Sequence, residues 1–376
     1  MAHSPHSILI APNAFKGTLS AYSAAVAMAR GCRSAAPALP VRILPVADGG
    51  NGMLDVLLHS AAGASFTTHI VPGPLGTPVT ARMGWLSPSH AVVELAEASG
   101  IVHLVPSPHT SRMASSYGCG ALIAEACSRG AQQILVGLGG SSSTDGGTGL
   151  LAALGASFLD AKGAPLPPGG AALASLAEVD LTRAQETVRG ITITVAVDVD
   201  APLLGPHGAA SQFGPQKGAA PEDVVVLDAA LAHFVSLLQD DLRSLADLPG
   251  AGAAGGTGFG LALLGAELAP GAGLILDAIG FNEALRTALL VITGEGSIDR
   301  TTLQGKAPYA VAKRCHDHGV PCFAVGGSVN LDPALSPFTG CVDCTEVCHP
   351  LNPRVAPRRA LRVAAARIME SLGSLP

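Results

Sequence analysis

Aromatic side chains make up only 3% of this chain while hydrophobic residues reach 48%, so its cores must be built from Leu, Val, Ile and Ala. There is no basic stripe interleaved with aromatics, and the net charge is −6 with scattered signs, which argues against nucleic acid as a partner. The first residues, MAHSPHSILIAP, carry no basic n-region and no long apolar h-region, so no signal peptide is expected. One uncharged stretch, Leu248 to Ala266, approaches the length of a membrane span. It holds seven glycines and Pro249, with Glu267 following at once, so a glycine-rich turn feeding a short buried helix accounts for it better. A soluble, cytoplasmic protein with no membrane partner is the expectation. No Gly-x-x-x-x-Gly-Lys-Ser/Thr occurs, which excludes a P-loop.

Lysine is scarce too: five, against 17 arginines. Three of the five sit beside glycine in loop-like sequence: Lys16 in AFKGT, Lys217 in PQKGA and Lys306 in QGKAP. In so lysine-poor a chain, an ammonium next to glycine points to a compact charge meeting phosphate or carboxylate, although each could be a plain surface cation. The eight cysteines, with no secretory targeting, predict reduced thiols. Cys341, Cys344, Cys348 and His349 put four metal-ligand residue types in one short segment. Adjacent Cys348 and His349 cannot easily face one ion, and no second Cys-x-x-Cys answers the first, so no structural metal is expected there.

What is present is a repeat. DGGNGML runs from Asp48 to Leu54 and DGGTGLL from Asp145 to Leu151, each after a strand-like run and before helix-like sequence. Glycines at such a turn leave backbone N–H groups free to cradle an anion. A carboxylate beside a phosphate cradle makes sense if a divalent cation bridges the two, or if the acid takes a proton. The blander reading is that each Asp caps the following helix. Further acids stand where strands should end: Asp198 and Asp200 after ITITVAV, and Glu295 and Asp299 in VITGEGSID. The carboxyl edge of a parallel sheet is where ligands bind.

Short apolar runs alternate with helical stretches almost throughout, the pattern of α/β sheets. The texture changes near Pro72 and returns near Ala288. This predicts two α/β domains: a Rossmann- or flavodoxin-like one formed by both chain ends (1–71 plus 288–376), and a second inserted into it (72–287). The default site is a cleft between them.

Taken together, these motifs resemble the bacterial glycerate kinase family of the glycerate 2-kinase type. The matching segments include APNAFKGTLSA, LPVADGGNG, VVELAEASG, GLGGSSSTDGGTGLLAALG, DVDAPLLGPHGAASQFGPQKGA and VITGEGSIDRTTLQGKAP, in the family's order from about residue 8 to residue 328. The resemblance implies ATP-dependent phosphorylation of D-glycerate with Mg²⁺. Two positions depart from it. Asn13 and Asn51 stand where acids are more usual, so neither is given catalytic weight.

On this reading Lys16, Lys217 and Lys306 stabilise the transferring phosphate, and Asp198 orients or deprotonates the attacking hydroxyl. Asp48 and Asp299 are candidates for Mg²⁺. Gly49, Gly50, Gly139, Gly140, Ser141, Ser142, Asp145 and Glu295 are candidates for contact with nucleotide or substrate. A 3-phosphate product and a non-catalytic regulator that binds nucleotide or sugar acid are the alternatives, and a homodimer is possible. A small-acid dehydrogenase is set aside for want of a nicotinamide fingerprint.

Overall fold

The computed structural model describes residues 6–61, 63–347 and 353–373. Its strands, in chain order, are β1 (Ser7–Ile10), β2 (Val41–Ile43), β3 (Ser65–Pro72), β4 (Pro78–Ser87), β5 (His90–Glu94), β6 (Gln133–Gly137), β7 (Ser157–Asp160), β8 (Leu176–Asp180), β9 (Thr192–Val197), β10 (Glu267–Pro270), β11 (Ala288–Ile298), β12 (Cys322–Val329) and β13 (Gly340–Asp343). The molecule is mixed α/β, with largely parallel sheets, and divides into two compact units.

The first unit comprises Met1–Asp48, Asp55–Ala61 and Ala272–Pro376. Its sheet runs β13-β12-β11-β1-β2, all parallel, which is the flavodoxin-like order 2-1-3-4-5 when the strands are counted within the unit. β1 is buried at all four positions, as a central parallel strand covered on both faces must be. Ile8, Ile10 and Ile292 face a helix pair, Ala21–Ala35 and Pro357–Gly373, that supplies Ala24, Ala25, Met28, Ala364 and Ile368. Small side chains let these helices come close. A Cβ on Gly31 would lie 2.1 Å from the Arg362 carbonyl oxygen. Ser20 caps the first of the two, its hydroxyl accepting from Ser23 N.

The second unit comprises Gly49–Leu54 and Ala62–Gly271. Its main sheet has the order β10-β9-β6-β5-β4-β3, parallel from β10 to β5 and antiparallel from β5 to β3, with β7 and β8 forming a separate hairpin. The texture change expected at Pro72 comes earlier, because β3 pairs with β4 from Ser65↔Trp85 to Pro72↔Pro78. At the other end, chain from Ala272 onward belongs to the first unit, ahead of the expected 288. Asp277 there pairs with Arg314 of helix Ala307–Asp317 at 2.7 Å. HAVVELAEASG is strand only as far as Glu94; Leu95–Ser99 is helical.

The glycine-rich stretch after Leu248 forms a turn and then a buried helix. Ala254, Gly255 and Gly256 all take left-handed backbone angles before the helix proceeds to Ala262. Gly250 to Gly255 does spell Gly-x-Gly-x-x-Gly, against the expectation that no such fingerprint is present. It follows the 3-10 turn Ser244–Asp247 and not a strand, so the βαβ context of a dinucleotide site is lacking. Among the described residues no helix is long and apolar enough to cross a membrane.

Candidate active site

In the first unit the strand order reverses between β1 and β11, and the crevice outside such a reversal is where open α/β sheets bind ligands. Both edges of the reversal carry chemistry. After β1 the chain runs through Asn13 to Lys16, and Asn13 N is held by the Gly294 carbonyl of β11 at 2.8 Å. Lys16 stands exposed on the short hairpin closed by Phe15 and Leu19. On β11, Glu295 is buried. Its Oε1 accepts from Thr302 Oγ1 at 2.8 Å, and its Oε2 lies 3.9 Å from Lys306 Nζ. Burial pushes the Glu295 carboxyl above its ordinary pKa. The Lys306 charge and the Thr302 hydrogen bond oppose that rise, and the charges of Asp48 and Lys16 also act on it.

Asp48, buried, accepts from Asn13 Nδ2 at 2.9 Å, while Asn13 Oδ1 accepts from Ala14 N at 2.7 Å. Asn13, given no weight on sequence grounds, therefore fixes one of the candidate acids. A cavity of about 900 Å³ opens in the same unit, with Lys16, Glu295, Lys306, Ser328, Thr345 and Arg354 in its wall. It is large enough for a substrate, and charged groups of both signs line it.

Asp299 is differently engaged. Its Oδ1 accepts from Thr301 N and Oγ1 and its Oδ2 from Ser297 Oγ, and the Thr301 hydroxyl leads the interactions that hold its pKa below the ordinary carboxylate range. It starts the 3-10 turn Thr302–Gln304 as an ordinary turn acid.

The second unit gathers the remaining candidates at the carboxyl ends of β5, β6 and β9. The two glycine turns lie backbone against backbone. Gly139 N donates to the Gly49 carbonyl at 3.1 Å, and a Cβ on Gly139 would come within 2.3 Å of Gly50 Cα. Gly140 has φ +74°, and an added Cβ there would meet Asn51 Oδ1 at 1.9 Å, so only glycine fits. Gly140 O and Ser99 O accept from Ile101 N and from Ser142 N and Oγ, which pins this loop, and Ser141 bridges to Gly100.

The amides expected to stand bare are covered by the protein's own carboxylates. Asp145 is fully buried and accepts from Ser116 N and Oγ, both at 2.8 Å, and from Gly147 N and Gly149 N. The first turn is covered by Glu94, a residue that sequence reasoning missed. Glu94 Oε1 accepts from Gly52 N at 2.9 Å and Oε2 from Leu54 N at 3.0 Å, across 42 and 40 residues of chain. The sequence signals for it were a carboxylate closing the apolar run AVV and its place in the segment VVELAEASG.

Lys217 also departs from expectation. It ends the 3-10 turn Pro215–Lys217 and is 2% exposed, so it is no surface loop cation. Its Nζ donates to the Ser143 carbonyl at 2.5 Å. Burial brings its pKa down to about 7, and the Asp145 charge limits the fall. The hydroxyls of Ser143 and Thr144 are buried without a hydrogen-bond partner. Asp198 follows β9 directly and is half-buried, and Asp200 is exposed.

Among the described residues no three His, Cys, Asp or Glu side chains gather as a metal centre. Cys344 is buried and Cys341 is exposed beside Ser336, while Cys348 and His349 lie outside the described residues.

The chain resembles known proteins over nearly its whole length. The model of the glycerate kinase family matches residues 8–372. The glycerate kinase of Bacillus subtilis (strain 168) is 43% identical over 329 residues, covering 86% of each chain. The glycerate 2-kinase of Escherichia coli (strain K12) is 39% identical over 329 residues, again covering 86% of each. A crystal structure of a protein assigned as glycerate kinase 2 from Salmonella typhimurium LT2 superposes with a TM-score of 0.83 at 34% identity, covering 99% of both chains.

Proposed function

Because this chain belongs to the glycerate kinase family, we propose that it transfers the γ-phosphoryl group of ATP to D-glycerate, giving 2-phosphoglycerate and ADP. The observation that carries the reading is the group at the β1/β11 reversal, where Lys16, Glu295 and Lys306 line a charged cavity and the charges of Lys16, Lys306 and Asp48 act on Glu295. Glycerate brings a carboxylate and ATP brings its phosphates. Lys16 and Lys306 supply ammonium groups to meet that charge as it develops in the transition state. Glu295 holds Lys306 in place, and Asn13 holds Asp48.

The residues present fit a divalent cation of the Mg²⁺ type, which takes one or two protein carboxylates and keeps water and phosphate oxygens as its other ligands. Asp48, fixed by Asn13, would hold it. Asp299 is the poorer candidate because both of its oxygens already accept from its own turn. When bound, the cation would neutralise charge on the transferring phosphate. Lys217, buried against Ser143 and near Asp145, serves by shaping the Gly139–Asp145 loop.

Asp198 is our assignment for orienting the attacking hydroxyl, from its place at the end of β9. Glu295 is the second reading for that role. Its raised pKa brings it toward the range where a carboxylate exchanges protons at working pH. Asp198→Asn and Glu295→Gln separate the two, since only loss of the true base removes the acid limb of kcat/KM.

The 2-phosphate is favoured by similarity to a relative named for that position. A coupled assay tests both activity and product. 2-Phosphoglycerate feeds enolase directly, whereas 3-phosphoglycerate needs a mutase first. Signal only after mutase is added would overturn the 2-phosphate, and no ATP consumption with glycerate would overturn the kinase.

A further inference from the structure

The second unit holds another cavity, of about 430 Å³, whose character is the opposite of the charged one. Pro72, Pro74, Phe158, Pro167 and Pro168 wall it, and no Asp, Glu, Lys or Arg side chain lines it. A phosphate or carboxylate in such walls would lose water without gaining a counter-charge, which is unfavourable. Glycerate and the triphosphate are therefore excluded as its occupants. A flat, uncharged, polar-edged ring is not, and the volume lies within the range of small-molecule sites.

Its place in the fold agrees. β4 runs antiparallel to β5, and the Pro72↔Pro78 pair closes the β3–β4 turn at the edge where β5 and β6 end. That is the ligand-binding edge of the sheet. Gly149, another wall residue, donates its N–H to Asp145 Oδ2, so the pocket borders the DGGTG turn.

The polar groups in the wall are few and of complementary kind. Ser115 Oγ accepts from Tyr117 N at 3.2 Å, which leaves its hydrogen to donate. Thr148 Oγ1 donates to the Asp145 carbonyl at 2.8 Å, which leaves its lone pairs to accept. One donor and one acceptor in an otherwise apolar wall match the ring nitrogens and exocyclic amine of adenine. Tyr117, 40% exposed, also lines the cavity, and an aromatic ring there is of the kind that stacks on a base.

We propose that this pocket takes the adenine ring of ATP. The proposal rests on the kinase reading above and adds to it where the nucleoside binds.

Ala152, half-buried in the wall, allows the pocket to be filled without touching the Asp145 network. ADP binding by calorimetry and steady-state kinetics would be measured for the wild type, Ala152→Leu and Ala152→Phe. The expected result is a loss of ADP affinity and a rise in ATP KM that grow with side-chain size, at least tenfold for phenylalanine. The KM for glycerate should stay within about twofold. Unchanged ADP binding in a variant that melts like the wild type overturns the pocket assignment, as does a rise in glycerate KM alone. Because either variant could fail to fold, wild-type protein would also be photolabelled with 8-azido-ADP. Label on the peptides carrying Tyr117 or Leu166 to Leu173 supports the proposal, and label confined to the first unit overturns it. Failure of the kinase reading looks different: ADP still binds in the pocket while wild-type protein turns over no glycerate.

Discussion

Asn13 Nδ2 donates to Asp48 Oδ2 at 2.9 Å with both side chains buried, so an uncharged amide aims the carboxylate proposed above to hold Mg²⁺. Asn13→Ala would leave Asp48 short of a buried donor, a loss of about 1–3 kcal/mol of stability. It should also weaken the Mg²⁺ dependence, with a higher Mg²⁺ concentration at half-maximal rate. Asn13→Asp would set two carboxylates side by side and raise the pKa of one. Its rate should therefore rise with pH at a more alkaline point than in the wild type. A pH–rate profile that overlays the wild type would remove Asn13 from this role.

Lys217 is buried with a pKa brought down to about 7, so the unfolded chain, with its lysine near 10.5, binds more protons than the folded one between those values. The folded state is thus penalised most below about pH 7, and this component of stability should grow as pH rises through 7 toward 10.5. Lys217→Met abolishes the component. Urea unfolding at pH 7, 8 and 9 checks it, through a shallower rise for the variant than for the wild type. The activity of Lys217→Met should fall by at least tenfold, on the order of one lost positioning contact. Its folding should be altered too, because the side chain is a packed interior group.

Lys306 lies 3.9 Å from Glu295 and opposes the upward push of burial on that carboxyl. On the second reading, with Glu295 as the base, Lys306→Met should move the acid limb of kcat/KM to higher pH and Lys306→Arg should restore much of the wild-type position; with Asp198 as the base the limb should stay put. If kcat falls while the pH profile stays put, Lys306 acts on substrate charge alone and not through Glu295.

Glu94 ties Gly52 N and Leu54 N to the end of β5 at 2.9 and 3.0 Å. Glu94→Gln keeps one acceptor and loses the charge-assisted character of both bonds, whereas Glu94→Ala leaves two amides unmet. Thermal melts should rank wild type above Glu94→Gln above Glu94→Ala, with the alanine variant losing about 2–5 kcal/mol for two buried, charge-assisted bonds. The KM values should rise in the same order, since the turn they hold starts just after Asp48.

Much of this protein was legible from local sequence. The α/β alternation follows from short strand-like runs such as SILI, buried at every position, and TITVAV, buried at every position from Val195 on. Lys16 and Glu295 stand out because each follows such a run, and parallel strands of one sheet deliver their ends to a common edge. Local sequence also showed the two glycine turns. Tertiary structure decided what fills them. Asp145 covers Gly147 N and Gly149 N of its own turn, the local cap that the sequence allowed, but Ser116 reaches it from 29 residues away and Glu94 meets Gly52 across 42, and no local pattern records contacts that long. The same holds for Lys217, whose neighbours in PQKGA read as a surface loop. It is the Ser143 carbonyl, 74 residues distant, that meets its ammonium in the interior, and burial there is what lowers its pKa. Residue type and spacing fix which groups can carry charge. Desolvation and long-range hydrogen bonding fix how much of that charge each one keeps.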